Sequence, residues 1–491
     1  MRKQVFLNAR VSIAQTIVVG LVLFILYRYL LATIGVEQLG LWSVVLASTS
    51  ISRISELGLS GSVVKFVAKY DARLEIDSVC SVIQTAAISI GILIAGLIII
   101  SYPFLKWLLE YILPSNAIFV ALLLFPYALV SLWITAVAGI FISGLDGCHR
   151  IDLRGFLMIA ANIVYLLLTV MLVPYHGIMG LAYAQVIQAS ILLLASWFLL
   201  RYVLPDLPFL PHKFSRSLFR EMITYGINFQ IASIMMMLFE PVTKALLSKF
   251  GNLSMVGYYE MANRMVIQFR ALIVSTNQVI VPAIANLHET APGKLQGIYK
   301  DSCRLILYIA IPFYGVIAAL IPVISELWIG HYESLFLTFA CLLIFGCFFN
   351  TMAGPAYFDN LGRGRLRWNT ISHVTMGGMN LILGYYLGSQ FGGIGVVVAW
   401  VFSLVFGSCI VVIAYHSDSE ISLSNLFPDE NRWLFTATSM SIILVWTAYH
   451  YLYDYNESIV ILLLCLCLSF MLVLISLWYH PMRARIQSWL P

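Results

Sequence analysis

The amino-acid sequence predicts an all-α, polytopic membrane protein of about 14 transmembrane helices, built as two parallel six-helix repeats plus a C-terminal helix pair. Three observations predict this class. The apolar content is too high for a soluble domain, Lys and Arg alternate with the loops, and three glycine-centred matches recur at nearly one sequence offset.

Of the 491 residues, 61% are hydrophobic and only 10% charged. A soluble domain needs a wet, charged exterior, whereas a bilayer is itself an apolar solvent, so this composition belongs to an integral membrane protein. A helix needs roughly 20 residues to cross the hydrocarbon core. Apolar runs of that size lie near 11–34, 40–66, 80–103, 117–142, 155–175, 179–203 and 219–248. Seven more lie near 255–282, 302–321, 333–353, 368–389, 393–416, 433–452 and 457–478. They are too long and too uniformly apolar for barrel strands, which alternate over roughly 10 residues. Arg2, Lys3 and Arg10 precede the first run as in a secretory signal, but the run continues to Leu31 without a small-residue cleavage site, so it reads as a retained helix. Most of the eight cysteines fall inside apolar runs and read as small hydrophobes, with neither a disulfide framework nor a metal site expected.

The loops fix the orientation. One side holds Arg2, Lys3 and Arg10; Lys65, Lys69 and Arg73; Arg150 and Arg154; and Arg201, Lys213, Arg216 and Arg220. It continues with Lys294, Lys300 and Arg304; Arg363, Arg365 and Arg367; Arg432; and Arg483 and Arg485. The other side holds Lys106 and Lys249. Cytoplasmic loops carry the Lys/Arg excess, so the rich side is cytoplasmic and both termini are expected there. The net charge of +5 is mostly this topological signal.

The repeat emerges once spans are placed. Gly40 and Arg53 match Gly257 and Arg270 at an offset of 217. Gly177, Gly180 and Ala184 match Gly392, Gly395 and Ala399 at 215, and Gly144-Leu145-Asp146-Gly147 resembles Asn360-Leu361-Gly362-Arg363 at 216. Six helices per unit return the chain to the same side, so the repeats are parallel and a substrate path is expected at their interface near the midplane. The expected lobes are residues 1–203 and 204–416, followed by the extra pair and a cytoplasmic tail in 417–491.

Ionisable groups inside spans cost about 2.5–3.5 kcal/mol each on insertion scales, so each needs a reason. The candidates are Arg28, Arg53, Glu56, Glu240, Lys244, Glu260, Arg264 and Arg270. Local neutralisation accounts for some, because Arg53–Glu56 is spaced i,i+3 and Glu240–Lys244 and Glu260–Arg264 are spaced i,i+4. Arg28, between Tyr27 and Tyr29, is read either as a snorkelling belt residue or as a cavity cation. Arg53 and Arg270 lie thirteen residues inside their spans, out of easy snorkelling reach, at equivalent points of the two repeats. Five cations against three carboxylates leave an excess of two positive charges, which suits an anion and above all phosphate, the group Arg grips bidentately. Pro241 beside Glu240 is a candidate hinge. Scattered histidines and the missing P-loop pattern leave no support for metal chemistry or ATP hydrolysis, so no enzyme activity is expected.

The runs Leu39-Gly40-Leu41-Trp42, Glu56-Leu57-Gly58-Leu59 and Val67-Ala68-Lys69-Tyr70 resemble the opening of polysaccharide flippases. So do Val256-Gly257-Tyr258-Tyr259, Ala262-Asn263-Arg264 and Val281-Pro282. The chain is similar over essentially its whole length to the O-antigen (Wzx-type) branch of the multidrug/oligosaccharidyl-lipid/polysaccharide exporter superfamily. That resemblance implies a V-shaped alternating-access fold with a cationic cavity for an undecaprenyl-pyrophosphate-linked oligosaccharide, carried to the outer leaflet of a bacterial inner membrane. It implies cavity roles for Arg53 and Arg270, with Arg28, Arg264 and Lys244 as further substrate-binding candidates. It also implies coupling to Na+ or H+, with Glu56 and Glu240 as the candidate ion-coupling residues, and a polysaccharide polymerase and chain-length regulator as possible partners. Two other readings stay open at this stage: a cation-coupled multidrug antiporter of the same superfamily, which would favour an acidic cavity, and a membrane-embedded polymerase, for which the outer loops are short.

Overall fold

The computed structural model describes residues 2–49, 56–227, 230–278, 295–455 and 459–489. Among them the regular structure is helical and no strand is present. The helices are α1 (Arg2–Thr33), α2 (Gly35–Thr49), α3 (Glu56–Asp71), α4 (Ile76–Ile112), α5 (Ser115–Gly147) and α6 (Ile151–His176). Next come α7 (Ile178–Val203), α8 (Arg216–Ile227), α9 (Gln230–Phe250), α10 (Leu253–Gln278), α11 (Leu295–Ile329) and α12 (Ser334–Met352). The last are α13 (Gly354–Gly362), α14 (Arg367–Asp418), α15 (Arg432–Tyr455), α16 (Ile459–Tyr479) and α17 (Pro481–Trp489).

Among the described residues, nine helices are long and apolar enough to cross a membrane. That number reconciles with about fourteen spans once interruptions are considered. The 52-residue α14 is two helices joined at Gly392, whose φ of 66° and ψ of −153° are non-helical. In α9 and α10, Glu240, Lys244, Glu260, Arg264 and Arg270 dilute otherwise apolar runs, and in α15 Thr436, Thr438, Ser439, Ser441, Thr447 and His450 do the same. The two short helices α2 and α3 flank residues 50–55 and together cover one expected span. Lipid-facing surfaces match the bilayer: α6 exposes Phe156, Leu167 and Met171, and α16 exposes Leu464, Leu468 and Phe470, which water would not tolerate as contiguous patches.

The chain forms two compact units, one of residues 1–260 with 381–396 and the other of 261–380 with 397–491. The first is centred on Val63, Val67, Ile83, Ile90, Ile140 and Leu145 from α3, α4 and α5, all fully or nearly fully buried. Ser62 Oγ donates to the Met222 carbonyl at 2.8 Å, tying α3 to α8. The second has smaller apolar clusters, among them Leu307, Ile311 and Leu434 of α11 and α15. Its end is clasped by His480, which accepts from the Met482 amide at Nδ1 and meets Asn431 Oδ1 at Nε2, both at 3.1 Å. Burial holds that imidazole below the usual histidine range, in keeping with a neutral ring using one nitrogen as acceptor.

The repeat is written into the backbone. Gly177 and Gly392 both have positive φ, 55° and 66°, at the same joint between consecutive spans. Cys148, His149 and Arg150 donate their amides to the carbonyls of Gly144, Asp146 and Leu145; Arg363, Gly364 and Arg365 donate to Asp359, Leu361 and Asn360 in the same pattern. Every one of these equivalences is at an offset of 215, so the loop match read at 216 from sequence is corrected by one residue and pairs Gly147 with Gly362. Near the N-terminal ends of α2 and α10, equivalent residues touch each other. Ser254 Oγ donates to Glu37 Oε1 at 3.4 Å and Ser43 Oγ donates to Glu260 Oε2 at 3.1 Å, both pairs 217 residues apart. A Cβ on Gly40 would lie 1.9 Å from the Leu253 carbonyl oxygen, and one on Gly257 would lie 2.4 Å from that of Val36. Self-complementary contact of this kind, i with j and j with i, is the signature of a two-fold axis, here a pseudo-axis between α2 and α10.

Candidate functional site

Among the described residues, two polar constellations within the spans hold the candidate charges, one in each unit. In the first, α9 carries Glu240 and Lys244 one turn apart, so both project from one face. Lys244 Nζ lies 2.7 Å from Glu240 Oε1 and 2.6 Å from Glu260 Oε2 of α10. Tyr27 of α1 donates to Glu260 Oε1 at 2.9 Å and Ser43 of α2 to Oε2 at 3.1 Å. The side chains of Lys244 and Glu260 are 6% and 4% exposed, whereas that of Glu240 is 35% exposed. Glu260 is therefore engaged from α1, α2 and α9, a set of partners that spacing along its own helix does not supply. The Glu240–Lys244 pair expected from sequence is present, and Pro241 sits inside α9 directly after Glu240. Having no N–H, Pro241 leaves the Met237 carbonyl without its helical partner. Two carboxylates around one ammonium carry a net charge of −1 when all are ionised.

The second constellation centres on Arg270 of α10. Its Nη2 donates to Asn350 Oδ1 of α12. Asn350 Nδ2 donates to Ser408 Oγ of α14 at 2.9 Å, and Ser408 donates to the Leu404 carbonyl at 2.7 Å. All donors run one way, which fixes the amide orientation of Asn350 and aims its oxygen at the guanidinium. Arg270 Nε is buried without a hydrogen-bond partner, and among the described residues no carboxylate pairs with Arg270. A permanent cation held by a neutral amide inside a span keeps its full charge and four further N–H donors for another group.

The remaining candidates divide. Arg28 on α1 and Arg264 on α10 are exposed. Arg53 and the side chain of Glu56 lie outside the described residues, and with them the expected Arg53–Glu56 pair. Asn350, Ser408, Tyr27 and Ser43 were not singled out from sequence. Asn350 was detectable as a polar residue closing the apolar run of α12, and Ser43 as the residue one repeat offset before Glu260.

Against this geometry, residues 6–288 match the family described as polysaccharide biosynthesis protein. The chain belongs to the polysaccharide biosynthesis protein family. No curated protein matches it in sequence. Among solved structures, the lipid II flippase MurJ in an inward closed conformation matches with a TM-score of 0.72 and 15% identity, over 96% of this chain and 98% of that one. An inward-facing multidrug resistance MATE family transporter of the MOP superfamily gives 0.68 and 16%, over 81% and 94%. A MOP superfamily transporter from Pyrococcus furiosus, described as having a binding pocket of reverse polarity, gives 0.57 and 13%, over 87% and 95%. At these identities the matches speak for fold: this polysaccharide biosynthesis family member has the helical architecture of MOP superfamily transporters and flippases.

Proposed function

We propose that the protein is a flippase for a lipid-linked oligosaccharide, moving an undecaprenyl-pyrophosphate-linked unit such as O-antigen from the cytoplasmic to the outer leaflet of a bacterial inner membrane. The observation that carries this reading is Arg270: a span arginine without a carboxylate among the described residues, one of whose donors is spent on Asn350 and whose Nε is unsatisfied. A half-buried guanidinium in that state favours a pyrophosphate, which can accept two parallel N–H donors where Asn350 accepts one. In this reading Arg53, its equivalent in the first repeat, shares the task, with Arg264 and Arg28 guiding the anion.

The Glu240–Lys244–Glu260 cluster supports ion coupling. Two carboxylates meet at one ammonium there, and Glu240, the more open of the two, is where a proton or sodium ion exchanges. Glu56 is the second coupling candidate and Pro241 the hinge beside the cluster. Lys244 acts in this scheme as the bridge between carboxylates. Polymerase and chain-length regulator would act on the flipped product.

The test is complementation of a strain lacking the protein, read as surface polysaccharide, with variant levels and folding checked by fluorescence size exclusion. Arg270→Ala is expected to abolish polysaccharide and Arg270→Lys to retain a fraction, since Lys keeps charge but loses the bidentate fork. Full polysaccharide with Arg270→Ala sinks the anion role. Loss of drug resistance with polysaccharide intact moves the reading to a multidrug antiporter.

A further inference from the structure

Lys249 lies in the last turn of α9 in the first unit, among aromatic rings. Its ammonium stands 3.5 Å from the centroid of the Tyr111 ring, with Tyr385 at 5.6 Å and Phe250 at 5.7 Å. Phe250 and Tyr385 meet edge to face at 5.1 Å. Among the described residues Lys249 has no carboxylate within salt-bridge reach and no hydrogen-bond acceptor, whereas Lys106, on the same helix as Tyr111, has Glu110 at 4.0 Å. Aromatic faces stabilise an ammonium but accept none of its N–H bonds, so three donors stay available.

Directly beside it, α2, α4, α9 and the first half of α14 enclose a cavity of about 270 Å³. Val44, Ala47, Leu108, Val242, Leu246 and Leu381 form its walls, and the lining is almost wholly apolar apart from Lys249. Tyr111, Tyr385 and Leu381 are each more than half exposed, so the groove is open at its side. Phe104, Trp107 and Tyr111 continue from its mouth along α4, Trp107 stacked on Tyr111 at 5.6 Å and Phe104 tilted against Trp107 at 5.8 Å. Such a row of exposed aromatics marks the headgroup level of a bilayer. An apolar groove that opens toward lipid holds no water stably, because water finds no polar partners there.

We propose that this groove is a binding site for an anionic phospholipid, one acyl chain lying along the apolar wall and the phosphate held by Lys249. A cation at headgroup level above an apolar slot has the two-part complementarity of a lipid, and the missing counter-charge selects an anionic head over a zwitterionic one. Ser248 of the same turn donates to the Ile112 carbonyl at 3.0 Å, which fixes the wall of α9 against α4 and keeps Lys249 over Tyr111. The site does not rest on the flippase reading, since it needs only Lys249, the apolar wall and the bilayer, although Pro241, the hinge candidate of that reading, also lines the groove.

Native mass spectrometry of the detergent-solubilised full chain, titrated with phosphatidylglycerol and phosphatidylcholine of identical chains, tests it. The wild type is expected to hold phosphatidylglycerol preferentially, and Lys249→Gln to lower that preference about fivefold, the worth of one basic residue near an anionic lipid. Lys249→Arg should keep it. Ala245→Phe, which fills the groove, should weaken both lipids, its melting temperature showing that the chain is folded. An unchanged preference in Lys249→Gln, or unchanged binding in folded Ala245→Phe, overturns the site. Displacement of phosphatidylglycerol by equimolar undecaprenyl phosphate overturns the assignment to a phospholipid and gives the groove to a polyprenyl tail.

Discussion

Lys244 holds Glu240 and Glu260 together from α9, and its neighbours Tyr27 and Ser43 finish the second carboxylate from two further helices. Removing Lys244 takes the ammonium from between Glu240 and Glu260, and removing one partner of a buried pair costs about 3–5 kcal/mol. Lys244→Met is therefore expected to lower the thermal midpoint of the purified protein sharply, and Lys244→Met with Glu260→Gln to recover much of it. A double variant no better than the single one would show that the cluster does not act as a unit. Sequence spacing exposed the Glu240–Lys244 pair because i,i+4 neighbours meet on any helix. It could not expose Lys244–Glu260, nor Arg270–Asn350–Ser408, because those pairs join residues of separate helices and no local period encodes them.

At the scale of elements, α2 and the first turns of α10 approach closely where the repeat pairs Gly40 with Gly257. Gly40 and Gly257 let backbone meet backbone, with projected Cβ positions 1.9 Å and 2.4 Å from carbonyl oxygens of the facing segment. Gly40→Ala and Gly257→Ala should each cost about 1–3 kcal/mol by overpacking. Gly61→Ala, with nothing within 4 Å of its Cβ, should be neutral or slightly stabilising. Differential scanning fluorimetry separates the outcomes: equal melting of all three would remove the close approach. The offset of 217 pointed to these glycines as equivalent, and the structure adds that they are neighbours. The breaks at Gly177 and Gly392 were legible because a glycine between two apolar runs ends one helix and starts the next, while the one-residue shift in the other loop was not, since several glycines there align almost equally well.

For the whole molecule, the Lys/Arg placement predicts the orientation that the proposed flippase requires, both termini cytoplasmic. Alkaline phosphatase fused after Ser488 is expected to be inactive and a fluorescent protein there to be bright. Phosphatase fused after Leu113, in the turn between α4 and α5, should be active. The opposite pattern at either point would break the alternation on which the span order rests. Composition and charge placement determined from sequence alone that this chain is a helical membrane protein of about fourteen spans with two parallel repeats, because hydrophobic length and loop charge are local properties that a bilayer reads one segment at a time. The tertiary structure alone decided which buried charges are neutralised and which are not. Lys244 and Glu260 pair where α9 meets α10, while Arg270 receives the amide of Asn350. That choice depends on which helix faces which, and helix order along the chain leaves it undetermined.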